Sequence, residues 1–215
     1  MNDSFELIES ILWHNRYAFL EQHIDRLRHS ALCFSFQFDE LELREQLLYL
    51  SSSFKENTVL KVRVLLSENG DYSLSHNEVK VEKNKMWKIA VSPMKTNSKD
   101  MFLYHKTTNR TIYEDQYHAF KKSGFDEVVF CNEQEEVTEG SFTNIFCKIN
   151  NSWVTPDISC GLLPGVYRQE LICRLQSKIQ IRPIKIDELK LANHIYVCNS
   201  VRGCMKVEKI DFAGV

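Results

Sequence analysis

Two short stretches carry the residues best suited to chemistry. They are His105-Lys106-Thr107-Thr108-Asn109-Arg110 and, further on, Val137-Thr138-Glu139-Gly140-Ser141-Phe142-Thr143-Asn144. Lysine is the side chain that captures a carbonyl as an imine and then shuttles a proton at the same carbon. A carboxylate set against a pyridine-type nitrogen keeps that nitrogen protonated, so that the ring can take up electrons. These are the two protein groups a pyridoxal phosphate enzyme needs most. Gly140, directly after Glu139, permits an unusual backbone angle or the close approach of a ligand. Taken singly, each residue is outweighed by an ordinary role. Most lysines are solvated surface residues, and Glu133, Glu135 and Glu136 form an acidic loop beside Glu139.

A phosphate-bearing ligand needs backbone amides at a helix start and an arginine. Leu163-Pro164-Gly165-Val166-Tyr167-Arg168 offers such a start, and the helix itself provides no partner for the amides of Val166 and Tyr167. Asn199-Ser200-Val201-Arg202-Gly203 supplies hydroxyl and amide donors for a second wall. Arg26, in His23-Ile24-Asp25-Arg26-Leu27, supplies a cation from the first half of the chain.

The elements that must position these groups are legible in the periodicity. Residues 5–13 read as a strand with a hairpin partner at 17–20. A helix follows over 21–36, with Ile24, Leu27, Ala31 and Leu32 on one face. Asp39 caps a second helix reaching about residue 54. Residues 59–67 alternate and pair with 71–75 across Asn69-Gly70. A strand over 86–91 ends at Ser92-Pro93. The polar stretch 94–99 sets a boundary, giving a small α+β domain at 1–95 and a larger one at 96–215. The second half reads as a helix over 107–122, a strand over 125–131, the Glu139 loop, strands at 142–149 and 153–154, and a helix over 166–176. A strand at 179–184, a short helix near 187–191 and strands at 194–198 and 205–210 complete it. Lys106 then stands at a coil-to-helix junction, with Asn109 and Arg110 one turn away. Hairpins are too frequent for a purely parallel sheet, so the class is α+β.

The 215 residues suffice for one large domain or two small ones. Twenty-seven basic against 29 acidic residues give a net charge of −2, which creates no global field for nucleic acid or an acidic membrane. No segment has the apolar length of a membrane span. The first residues carry no basic cluster, so the chain reads as cytoplasmic. Seven cysteines, none in a CxxC, and seven scattered histidines point to buried thiols and to no metal site.

The motifs are also ordered along the chain: His23-Ile24-Asp25-Arg26-Leu27 with Ser30-Ala31, the lysine segment, Glu139-Gly140-Ser141 with Asn144-Ile145-Phe146, and Thr155-Pro156. Gly161-Leu162-Leu163-Pro164-Gly165 with Arg168, and Asn199-Ser200, follow. In that order they resemble the fold-type IV pyridoxal phosphate family over nearly the whole chain. That family holds branched-chain and D-amino acid aminotransferases and 4-amino-4-deoxychorismate lyase. His105 to Thr108 with Arg110 and Tyr113, and Asn199 to Gly203, are most similar to the lyase branch, particularly to lyase domains fused to the synthase that makes their substrate.

The resemblance implies the two-domain α+β fold of D-amino acid aminotransferase and pyridoxal 5'-phosphate as cofactor. It makes Lys106 the covalent attachment point and proton shuttle, and Glu139 the partner of the ring nitrogen. Arg26, Val166, Tyr167, Ser200 and Val201 would bind the phosphate. Asn144 would buttress the Glu139 loop, and Asn109, Arg110 and Arg202 would face the substrate. The implied reaction converts 4-amino-4-deoxychorismate to 4-aminobenzoate and pyruvate, a step of folate biosynthesis. An aminotransferase acting on a branched-chain or D-amino acid is the alternative, and a non-catalytic homologue a distant third. A homodimer is implied, with an aminodeoxychorismate synthase as a further partner. Family members usually have an N-terminal hairpin and a glycine-rich segment ahead of the strand at 5–13, so an N-terminally shortened first domain is expected.

Overall fold

The computed structural model describes residues 4–80 and 84–212; the first three residues of the N-terminal stretch read above lie outside that range. The chain forms two compact units. One comprises Met1–Val81 and His105–Asn109, and the other Glu82–Tyr104 and Arg110–Val215.

The first unit is a three-stranded antiparallel sheet with two helices. Its strands β1 (Leu7–Trp13), β2 (Leu60–Leu66) and β3 (Tyr72–Glu78) lie in chain order. Along β2 the sequence LKVRVLL alternates, and every second residue from Leu60 to Leu66 is buried. Gly70 turns the β2–β3 hairpin with φ +95°. Helix α1 (Leu20–Phe34) buries Ile24, Leu27 and Ala31, and stops at Ser35, which adopts a left-handed conformation. Helix α2 (Glu40–Ser52) starts at Asp39, whose carboxylate accepts from the Glu42 amide at 3.1 Å. Leu43 and Leu47 of α2 join the same core as Leu7, Ile11, Val62 and Val64. Residues 17–20 do not form a hairpin strand. A single bridge joins Trp13 to Tyr17, and β1 takes β2 as its partner because the start of α1 at Leu20 leaves too little chain.

The second unit is built on an eight-stranded mixed sheet. Its strands are β4 (Trp87–Thr96), β5 (Glu127–Asn132), β6 (Val137–Gly140), β7 (Asn144–Ile149), β8 (Ser152–Thr155), β9 (Ile179–Ile181), β10 (His194–Asn199) and β11 (Gly203–Asp211). The order is β6-β5-β4-β11-β10-β7-β8-β9, with β4 parallel to β5 and β11, and β8 parallel to β9. Helices α3 (Thr111–Lys122), α4 (Val166–Leu175) and α5 (Ile186–Lys190) complete the unit. One core joins Ile89, Val129, Ile145, Val154 and Val197; a smaller one joins Leu103, Tyr113, Val128 and Phe130.

Four expectations are corrected here. β4 does not stop at Ser92-Pro93. Its register against β5 shifts between Val91 and Lys95, and that irregularity accommodates a proline that has no N–H to give the ladder. The polar residues after it are therefore the tail of a central strand. The units divide between Val81 and Glu82 rather than at 95/96. Helix α3 begins at Thr111, not 107, because residues 106–108 are extended against β1. Glu139 lies in strand β6, paired with β5, and not in a loop. Among the described residues, no helix is long and apolar enough to cross a membrane, and no group of three or more His, Cys, Asp and Glu is placed to hold a metal.

Candidate active site

In the first unit, Lys106 is held by its backbone on both sides. Its carbonyl accepts from the Ile8 amide at 2.8 Å, and the Thr108 amide donates to Glu6 O at 2.9 Å. The Glu6 amide donates to Thr108 Oγ1 at 2.9 Å, and Thr107 bridges Leu7 in antiparallel fashion. Residues 106–108 thus add a short strap to β1, and His105 is tied to Ser30 by a 2.9 Å hydrogen bond. A half-buried lysine on a strap fixed by four hydrogen bonds has its backbone held in one place. Asn109 is exposed, and its amide donates to Thr107 Oγ1 at 3.2 Å. It is not one helical turn from Lys106, since the strap replaces that turn.

Arg26, in α1, is not alone. Its Nε and Nη2 donate to the two oxygens of Glu9, at 2.8 and 2.7 Å, and His23 Nδ1 lies 2.6 Å from Glu9 Oε2. Glu9 and His23 are buried. Burial alone would raise the Glu9 carboxyl, but Arg26 and His23 outweigh it and hold it down at about 2, against an ordinary 4.5. Burial pushes the His23 imidazole down, with Arg26 and Lys106 acting in the same direction, more than Glu9 lifts it. A carboxyl depressed in the folded state contributes stability that is complete above its unfolded pKa and lost as the pH falls towards its folded one. We therefore expect the stability gap between wild type and Glu9→Gln to be on the order of 2–3 kcal/mol at pH 7. It should shrink between about pH 4.5 and pH 2, as followed by urea denaturation at a series of pH values. A gap that stays constant over that window would remove Glu9 as the titrating group.

In the second unit, Glu139 is buried and accepts twice. Tyr113 Oη donates to Oε1 at 3.2 Å and Asn144 Nδ2 to Oε2 at 3.4 Å. Burial, and then the neighbouring Glu139, push the Tyr113 phenol well above its ordinary range, so it remains a donor at neutral pH. The residues after Glu139 are held by Glu127, which periodicity did not single out. This buried carboxylate accepts from the amides of Val128, Ser141 and Phe142 and from the hydroxyls of Ser141 and Thr143. Gly140 is required by crowding: a Cβ there would lie 2.3 Å from Thr143 Oγ1 and 2.8 Å from Glu127 Oε2. Arg110, at the start of α3, donates through Nη2 to Ser141 O and stands 5.5 Å from the Tyr113 ring centroid. It is committed to bracing the Glu139 segment.

Asn144 links this carboxylate to the helix start. Its Nδ2 also donates to Leu163 O at 2.9 Å, and its Oδ1 occupies the space a Cβ on Gly165 would need, 2.0 Å from that position. Asn144 therefore buttresses Glu139 as expected. Gly165 is the N-cap of α4 and provides no side-chain cap, which leaves the first-turn amides of Val166 and Tyr167 to other acceptors. The turn after β10 lies beside that first turn, since a Cβ on Gly203 would be 3.5 Å from Tyr167 Oη. In this turn Asn199 Oδ1 accepts from the amides of Val201 and Arg202, at 3.0 and 2.8 Å, and Ser200 is its first residue. The Val201 amide thus already has an acceptor within the turn. Arg202 is exposed and stands 6.0 Å from the Trp87 ring centroid. Gly165→Ala should displace Asn144 and cost about 1–3 kcal/mol together with weaker anion binding. Thermal unfolding and a cofactor titration would register both, and an unchanged melting temperature would contradict the crowding.

Arg168, buried in α4, donates from Nη2 to Pro156 O at 2.8 Å, and its Nε has no hydrogen-bond partner among the described residues. A buried cation beside the start of α4, together with the amides of that first turn, is a set of donors suited to a phosphate dianion. Lys106 in the first unit and the buried, hydrogen-bonded carboxylate of Glu139 in the second are groups of the kinds pyridoxal phosphate needs, so the residue types present fit that cofactor. Glu9 and Glu127 are the functional neighbours that sequence reasoning missed. A lone glutamate in a strand-like run has no periodic signal beyond being a charge among apolar residues.

Residues 5–210 match the family model for amino-transferase class IV. A Schizosaccharomyces pombe protein named "Putative aminodeoxychorismate lyase" is 27% identical over 174 residues, covering 77% of this chain and 72% of that protein. The crystal structure of a "Putative amino-acid aminotransferase" from Mesorhizobium loti superposes with a TM-score of 0.88 at 30% identity, covering 95% of this chain and 99% of that one. An aminotransferase from Brucella abortus, bound to the cofactor PLP, shares the fold with a TM-score of 0.84 at 15% identity, over 95% and 81% of the two chains.

Proposed function

The chain belongs to the amino-transferase class IV family, whose cofactor is pyridoxal 5'-phosphate, and from that premise we propose that it is a lyase acting on 4-amino-4-deoxychorismate. The products would be 4-aminobenzoate and pyruvate. The observation that carries this reading is the match to the S. pombe protein over 77% of the chain. When bound, the cofactor supplies an electrophilic aldehyde and an electron-accepting ring. Lys106 would supply the amine for that aldehyde and would take the proton from C4 of the substrate. Glu139, which accepts from Tyr113 and Asn144, would accept from the ring nitrogen. We assign the phosphate to Arg26, the amides of Val166 and Tyr167, and the Ser200–Val201 turn. Arg202, exposed and able to swing, is the better of the two arginines for a substrate carboxylate, since Arg110 is tied to Ser141 O. Loss of the C4 proton and of the enolpyruvyl group balances without an amino acceptor, and aromatisation drives it. A homodimer, and a synthase that delivers the substrate, belong to the same proposal.

The test is to add aminodeoxychorismate to cofactor-loaded protein without any 2-oxo acid. Equimolar 4-aminobenzoate and pyruvate are expected. If neither forms, the lyase assignment is wrong. The M. loti similarity favours a second reading, an amino-acid aminotransferase. In that case turnover would depend on added 2-oxo acid and an amino acid would accumulate.

A further inference from the structure

We infer that Glu9 is a positioning residue that aims Arg26 at the cofactor phosphate. The inference rests on the assignment of Arg26 to that phosphate. Arginine has five N–H donors in a rigid planar fork, and which of them faces an anion depends on which are already used. Here Nε and Nη2 are both taken by the two oxygens of Glu9, at 2.8 and 2.7 Å. The guanidinium plane is thereby fixed, and Nη1 is the nitrogen left to point elsewhere. The Arg26 side chain retains 12% exposure while Glu9 retains 2%, so the guanidinium is the more accessible member of the pair. Glu9 is itself pinned by His23, whose Nδ1 lies 2.6 Å from Oε2. A carboxylate has only acceptors, so that proton resides on Nδ1. His23 is fully buried in α1 and Glu9 lies in β1, which pairs along its full length with β2. The clamp therefore joins a helix to a sheet.

Charge and geometry predict opposite outcomes when Glu9 is removed. If only the charge near the phosphate mattered, loss of an acidic group beside Arg26 would strengthen anion binding. If orientation matters more, a long side chain freed to sample several rotamers must be re-ordered on each binding event, and affinity falls. The clamp's closeness and saturation place the second effect ahead.

The experiment titrates cofactor-free, full-length protein with pyridoxal phosphate and, separately, with pyridoxal, which lacks the phosphate. Absorbance reports binding without reference to turnover. In Glu9→Ala the dissociation constant for pyridoxal phosphate should rise about 10-fold while that for pyridoxal stays within about 2-fold. Glu9→Gln, which keeps the shape and one acceptor, should fall between wild type and Glu9→Ala and serves if the alanine variant does not fold. Unchanged or tighter binding of pyridoxal phosphate overturns the inference, as does an equal loss for both ligands. Arg26→Ala separates the two layers. If it leaves the preference for pyridoxal phosphate over pyridoxal intact, the assignment of Arg26 has failed. If it abolishes the preference and the Glu9 variants do not reduce it, only the role of Glu9 has failed.

Discussion

Lys106→Ala should keep its fold and lose turnover by at least about 10³-fold, the scale of effect for a group that supplies both a nucleophile and a proton shuttle. The fold should survive because the strap is secured by backbone groups: the Lys106 carbonyl to Ile8, the Thr108 amide to Glu6, and the bridge from Thr107 to Leu7. None of these needs the lysine side chain, which is only half-buried. A half-exposed truncation of this kind changes stability by roughly 0.5 kcal/mol. Lys106→Arg should be equally inactive, since a guanidinium stays protonated and cannot capture an aldehyde. Circular dichroism melting and steady-state turnover measured on the same preparations separate folding from chemistry. Normal turnover in either variant would remove Lys106 from its assigned role.

Glu127→Ala should have the largest effect on stability, about 3–5 kcal/mol. The carboxylate is fully buried and serves as acceptor for three amides and two hydroxyls, and burial leaves its carboxyl above the usual range despite those donors. Water cannot easily replace it, and each stranded buried donor costs about 1–3 kcal/mol. The damage should extend to Glu139, because Ser141, Phe142 and Thr143 hold the chain directly after it. Glu127→Gln retains one acceptor and the shape, and should recover part of the loss. Urea denaturation measures the first effect, and the absorbance spectrum of bound cofactor reports the second. A cost under about 1 kcal/mol for Glu127→Ala would show that the network is not what holds this segment.

Local patterns were sufficient for elements whose own residues decide them. The β2 alternation, the Asn69-Gly70 turn, the Asp39 cap and the Gly165 helix start all appear as read, because each depends on residues within a few positions. Two of the errors share one cause. The strand through Ser92-Pro93 persists because β5 and β11 flank it, and the turn expected at residues 107–110 is drawn into a strap because β1 offers it an edge. In both cases a partner distant in sequence overrides a local preference.

The site divides in the same way. Residue type and order along the chain singled out Lys106, Glu139 and the phosphate-binding motifs as candidates, since imine formation, ring protonation and anion binding each demand particular functional groups. Which groups hold those residues was decided by tertiary structure alone. Glu9 lies 17 positions before Arg26 and Glu127 lies 12 before Glu139; neither spacing carries a helical or strand signature that would pair them. Sequence also offered Arg110 for substrate, and the fold tied it to Ser141 instead. The chemistry belongs to side chains and can be read from their identity. Orientation comes from partners brought together by burial, and no one-dimensional pattern records them.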